Sequence, residues 1–238
     1  MSAGIARRTV LEHAAALAGG AALASIAGTT LLTPSAHAAT TASDTSRNSE
    51  RNRVLTARPS ANGWEMEKVA DGGGSVWTRP VAGTGLKVAV RIGDVQSVLV
   101  HVIRRFHYEV ETLNAGDIVG YGKPSRVLAA RHESNHASGT AVDLLPGSYP
   151  VGAKGGLFPT QVDVIRDILA DCEGVVAWGG DLRPAHEGHF EIRVGPGDPR
   201  LAAVAAKVRR WNREPGQGAG VLIDASSLAR RRRSAEYR

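Results

Sequence analysis

Four histidines and five acids crowd two short stretches of this chain, and any fold it adopts has to place them. The first stretch reads Ser134-Asn135-His136-Ala137-Ser138-Gly139-Thr140-Ala141-Val142-Asp143, with His132 and Glu133 just ahead of it. The second holds Asp181, His186, Glu187, His189 and Glu191. The chain has eight histidines. The other four lie apart: His13 and His37 near the N-terminus, His101 and His107 on an expected helix, where a structural or solvated role is expected. Imidazole nitrogens and a carboxylate oxygen suit Zn²⁺ at about 2.0–2.2 Å, and three protein ligands leave a fourth position for water. Structural zinc sites usually have four ligands rich in cysteine. This chain has one cysteine, so a catalytic type of site is expected. Gly139 and Ala141 fit a tight turn between His136 and Asp143 with room for a close approach.

The single cysteine, Cys172, excludes an internal disulfide. It lies in the apolar-periodic run Val162–Cys172, which predicts a buried, inert thiol. The net charge of +6 is unevenly spread. Residues 224–238 carry five arginines, among them Arg230–Arg233, against Asp224 and Glu236. Half of the excess therefore sits in a basic C-terminal tail, read as residues 216–238 and expected to be solvated. Such a tail can attract anionic polymers.

The N-terminus has a charged start at Arg7-Arg8, a weakly apolar Ala/Gly-rich middle and a small-x-small end at Ala36-His37-Ala38. That is the pattern of a signal peptide over residues 1–38, and the paired arginines resemble a twin-arginine signal. Export of an already folded protein, and no stable membrane span after cleavage, are the expectations. Residues 39–60 read as a linker or propeptide, low in apolar content.

Beyond that point, Leu86, Val88, Val90 and Ile92 alternate as a half-buried strand. Val95, Val98, Leu99, Val102, Ile103 and Phe106 follow helical spacing, with Asp94 as the expected cap. Pro124 to His132 reads as a connecting segment. Strands are expected at Thr140–Leu145, Gly174–Trp178 and His189–Val194, and a loop over Pro146–Pro159. Further helices are expected around Val162–Leu169 and Leu201–Trp211. Strands and helices do not alternate regularly, so the class is α+β, with one domain over 61–215.

The pattern Ser-x-His-x-x-Gly-x-Ala-x-Asp at Ser134–Asp143, with the later His189-Phe190-Glu191, resembles the peptidase M15 family. That family includes D-alanyl-D-alanine carboxypeptidases and L-alanyl-D-glutamate endopeptidases, and Trp178-Gly179-Gly180-Asp181 is similar to its endopeptidase branch. The resemblance covers roughly Arg126 to Ile192. It implies a hedgehog/D,D-peptidase-like fold, a small antiparallel sheet flanked by helices. It implies zinc ligands at His136, Asp143 and His189, and hydrolysis of amide bonds in peptidoglycan stem peptides. The family places an acid as general base three residues before the second histidine ligand, and here that position is His186. Glu187 is the expected base, since positions two apart on an extended chain share a face. His186 is the alternative, and a site without a base is the third reading. Arg126 and Arg131 are the candidates for holding substrate, each by a planar guanidinium. Trp178 is read either as a cleft wall or as a buried strand residue, and Asp181 either as support for the site or as a turn cap.

Two functions of different class follow. One is a secreted zinc peptidase of the cell wall, with Arg230–Arg233 attaching to anionic wall polymers. The other is a non-catalytic, zinc-containing wall-binding module that has lost its base. Nucleic-acid binding fits poorly with an export signal.

Overall fold

The computed structural model of the chain describes residues 53–127 and 131–237. The signal peptide, and the linker as far as residue 52, lie outside the described residues. The fold is mixed α and β, with small antiparallel sheets and helices around them.

Helix α1 (Asp94–Glu109) forms the spine. Its apolar positions recur at helical spacing, and Val95, Val98, Leu99, Val102, Ile103 and Phe106 are all buried. Each such side chain contributes about 1.5–3 kcal/mol when fully buried. Asp94 does not cap the helix: Gly93 takes that position without a side-chain bond. Asp94 sits in the first turn and pairs instead with Arg209 at 2.8 Å.

A four-stranded antiparallel sheet packs against α1 in the order β5 (Ile118–Val119), β6 (Ala141–Leu144), β8 (His189–Ile192), β7 (Val176–Trp178). Phe106 meets Phe190 edge-on at 6.1 Å between ring centres, which joins helix and sheet beside His189. A hairpin of β3 (Val76–Val81) and β4 (Leu86–Arg91) pairs residue by residue. A smaller ribbon joins β1 (Leu55–Pro59) to β2 (Glu65–Glu67). β1 lies inside the stretch read as linker. The expected connecting segment contains the short helix α2 (Pro124–Val127). Helix α3 (Ser134–Ala137) carries His136.

Helix α4 (Pro159–Asp171) begins with proline at its first position, where no N–H is needed. Helix α5 (Pro199–Trp211) is capped by Asp198, whose side chain accepts from the Arg200 N–H at 2.9 Å. Cys172 follows α4, fully buried, and burial pushes its thiol pKa up to about 12. No helix among the described residues is long and apolar enough to cross a membrane.

The C-terminal residues depart from the expected solvated tail. Leu228–Ala235 form helix α6, packed on α4. Arg230 makes a two-pronged pair with Asp167, both bonds at 2.7 Å. Arg233 reaches Asp171 at 3.1 Å and the Ala170 carbonyl at 3.0 Å. The acids are buried, and they also face the fully buried Arg105 of α1, 2.9 Å from each. A carboxylate so placed needs paired cations, because an unpaired buried charge is costly. Only Arg231 and Arg232 of the four-arginine run stay exposed.

Candidate metal centre

β6 and β8 pair so that Asp143 stands directly opposite His189. Asp143 Oδ1 lies 2.7 Å from His189 Nδ1 and 3.2 Å from His136 Nε2. His136 arrives from α3, one tight turn before β6. Gly139 makes that turn with φ +68°, and a Cβ there would stand 2.6 Å from the Arg91 nitrogen. The three expected ligands thus offer two nitrogens and one oxygen all within 4.8 Å of one another, a group that can hold a metal ion. Both histidines are buried and Asp143 is half-buried.

The outer ring nitrogens of both histidines are also held. His136 Nδ1 donates to the Gly120 carbonyl at 2.6 Å, which turns its Nε2 toward Asp143. His189 Nε2 meets Glu191 Oε2 at 3.1 Å, which leaves Nδ1 facing Asp143 at the centre. Glu191 in turn accepts from Asn135 Nδ2 at 2.6 Å. Asn135 Oδ1 receives the Asn62 N–H at 3.1 Å, and Asn62 Nδ2 donates to Thr140 Oγ1 and the Ile192 carbonyl. Ser134 Oγ accepts from the Ala61 N–H and donates to the Arg131 carbonyl. The segment Ser60–Asn62 therefore braces the back of the site, a role its sequence did not signal because it has no apolar period.

The electrostatics suit a cation. Burial pushes the Asp143 carboxyl up, but His136 and His189 outweigh it and hold it well below the usual carboxylate range. Burial pushes His189 down, yet Asp143 and Glu191 pull its pKa up to about 9. An imidazole held between two carboxylates marks a place where positive charge is favoured.

Two more imidazoles flank this group. The His186 ring stacks on His189 at 5.4 Å, and its Nδ1 is buried, without a hydrogen-bond partner, 3.9 Å from Asp143 Oδ1. His132 meets His189 edge-on at 5.3 Å, and its Nε2 is likewise buried and unpartnered. Burial pushes both their pKa values down. Asp143 opposes this at His186, while the neighbouring imidazoles add to it.

Glu187 does not occupy the place expected of it. Its Oε1 and Oε2 accept the N–H groups of Gly155 and Gly156 at 2.8 and 2.9 Å. The backbone from His186 to His189 is a turn, closed by the His189 N–H to the His186 carbonyl at 2.9 Å. The same-face argument required an extended chain, and the turn over Glu187-Gly188 breaks it. Arg126 and Arg131 are both exposed, and among the described residues neither side chain bonds to the cluster. Asp181 pairs with Arg166, which lies over the Trp178 ring at 4.8 Å. Trp178 is a buried strand residue whose Nε1 donates to the Glu187 carbonyl.

Protein-family models give no match to this chain, and neither curated proteins nor solved structures give one.

Proposed function

We propose that this chain is a zinc-dependent peptidase that hydrolyses amide bonds in peptidoglycan stem peptides. The observation that carries this reading is the grouping of His136, Asp143 and His189 beside the unpartnered Nδ1 of His186. The M15-like motif supplies the substrate class, and the hedgehog/D,D-peptidase-like topology belongs to the same proposal. Two imidazoles and one carboxylate are the donor set of catalytic zinc sites. A bound zinc ion supplies Lewis acidity and lowers the pKa of water. His136 is held by Gly120 and His189 by Glu191, so neither ring has to reorient. His186 accepts the proton of the attacking water at Nδ1 and returns it to the leaving amine. Glu187, committed to two backbone N–H groups, takes no part in that transfer. Twin-arginine export to the cell wall is part of this reading, as is contact of Arg231 and Arg232 with anionic wall polymers.

A second reading is favoured by one observation: the base position holds His186 and the nearest acid is tied elsewhere. On that reading the chain is a zinc-containing wall-binding module without catalysis. Metal analysis of the purified chain, with mass spectrometry of stem peptides after incubation, separates the two. Shortened peptides that disappear with His186→Ala support the peptidase. Bound zinc with intact peptides supports the module. Protein without stoichiometric metal rejects both.

A further inference from the structure

The turn that presents His186 is gripped from several sides, and one grip comes from an exposed loop. The Gly152 N–H donates to the Ala185 carbonyl at 2.7 Å, one residue before His186. The Gly155 and Gly156 N–H groups donate to the two oxygens of Glu187, one residue after it. The His186 N–H itself bonds to the Gly179 carbonyl at 2.8 Å, and Trp178 Nε1 holds the Glu187 carbonyl at 2.7 Å. Glu187 is 5% exposed, whereas Val151–Gly156 are exposed. A buried carboxylate is therefore the anchor for a surface loop. The loop's sequence suits that contact. A Cβ on Gly156 would stand 3.1 Å from the Tyr149 ring and 3.3 Å from Glu187 Oε2, so a side chain there would press on both.

We propose that Glu187 is a positioning residue. It ties the loop Gly152–Gly156 to the turn bearing His186 and thereby fixes the His186 imidazole beside the metal group. A carboxylate accepting two backbone N–H groups makes charge-assisted bonds, stronger than those between neutral groups. Both oxygens are occupied, so neither the loop nor the turn shifts without breaking them. The placement of the loop and that of the turn bearing His186 are thus set by the same side chain. What His186 does once placed rests on the peptidase reading above; the tie itself does not.

The test uses the full chain. Amide hydrogen exchange at Gly155 and Gly156 and the ring nitrogen signals of His186 are compared in wild type, Glu187→Ala and Glu187→Gln. In Glu187→Ala the exchange rates rise about ten-fold or more, as local opening of the loop becomes easier, and the His186 ring signals shift. Glu187→Gln keeps the shape and one accepting oxygen, so it gives smaller changes of the same sign. It also serves if the alanine variant does not fold. With stem peptides, Glu187→Ala lowers kcat by about ten-fold or more while KM changes little, as expected when a base is misplaced. Unchanged exchange at both glycines and unchanged His186 signals in the folded variants overturn the proposal. Equal and complete loss of kcat in Gln and Ala variants with loop exchange unaltered also overturns it, because that is the behaviour of a base. If wild type cuts no stem peptide, the peptidase reading fails, and the exchange and ring signals still decide whether Glu187 holds the loop.

Discussion

Glu191 Oε2 lies 3.1 Å from His189 Nε2, on the far side of the ring from Asp143. The ring is thereby fixed in orientation before any ion arrives. Replacing Glu191 by Gln removes the charge that favours Nε2–H. Metal affinity is expected to fall by about 10–100-fold, read by chelator competition. An affinity equal to wild type would show that Glu191 does not orient the ligand.

Gly139 bears on stability and on the site together. Its φ of +68° is unfavourable for a side chain, and the added Cβ of alanine would meet backbone at 2.6 Å. Gly139→Ala is expected to cost about 1–3 kcal/mol in denaturant unfolding and to weaken metal binding in parallel. Retained stability would mean that the turn relaxes freely.

The C-terminal helix should behave as part of the core. Deleting residues 228–238 leaves Asp167 and Asp171 with Arg105 as their remaining guanidinium partner. Breaking buried pairs of this kind costs about 3–5 kcal/mol, so the melting temperature should drop by roughly 10 °C. Arg231→Ala with Arg232→Ala, both on the exposed side, should change stability by no more than about 0.5 kcal/mol. Thermal melts of the two variants check the contrast. Equal melting of the deletion and the full chain would remove the structural role of α6.

Acid should loosen the same region. Burial raises the Asp171 carboxyl, but His101, Arg105 and Arg230 outweigh it and bring its pKa from 3.8 to about 2. A depressed carboxylate contributes stability that is present above its unfolded value and is lost as pH falls through the folded one. The contribution, about 2 kcal/mol, should therefore fade between pH 4 and pH 2. Asp171→Asn should lower stability at pH 6 and flatten this part of the acid profile. A profile of wild-type steepness in the variant would assign the loss to other groups.

Cys172 should resist thiol reagents while the chain is folded. Burial holds its pKa near about 12 and leaves no exposed sulfur. Modification by an aromatic disulfide should proceed at the rate of opening and become fast in denaturant. Rapid labelling of native protein would contradict the packing around α4.

Much of the scaffold is legible in the sequence where burial imposes a period. The apolar spacing of α1 corresponds to a buried face, and so does the alternation of Val88 and Val90 in β4, whereas Ile92 lies past the strand and is exposed. The grouping of His136, Asp143 and His189 is legible too, through the M15-like motif that carries them. The arginine run was not, since its partners Asp167 and Asp171 lie more than fifty residues away and nothing local distinguishes a docked basic helix from a solvated one. Glu187 was misplaced by a period-two argument that a single turn at Gly188 invalidates. The bracing by Ser60–Asn62 is carried by polar and backbone groups, which leave no hydropathy signature.

Because Asp143 and His189 are cross-strand neighbours, the ability to chelate depends on how β6 and β8 are aligned. Sliding one strand by a single residue would turn Asp143 to the opposite side of the sheet and scatter the donors. The grouping of these donors is thus a readout of strand phase, and a misaligned sheet would scatter them before it lost its secondary structure.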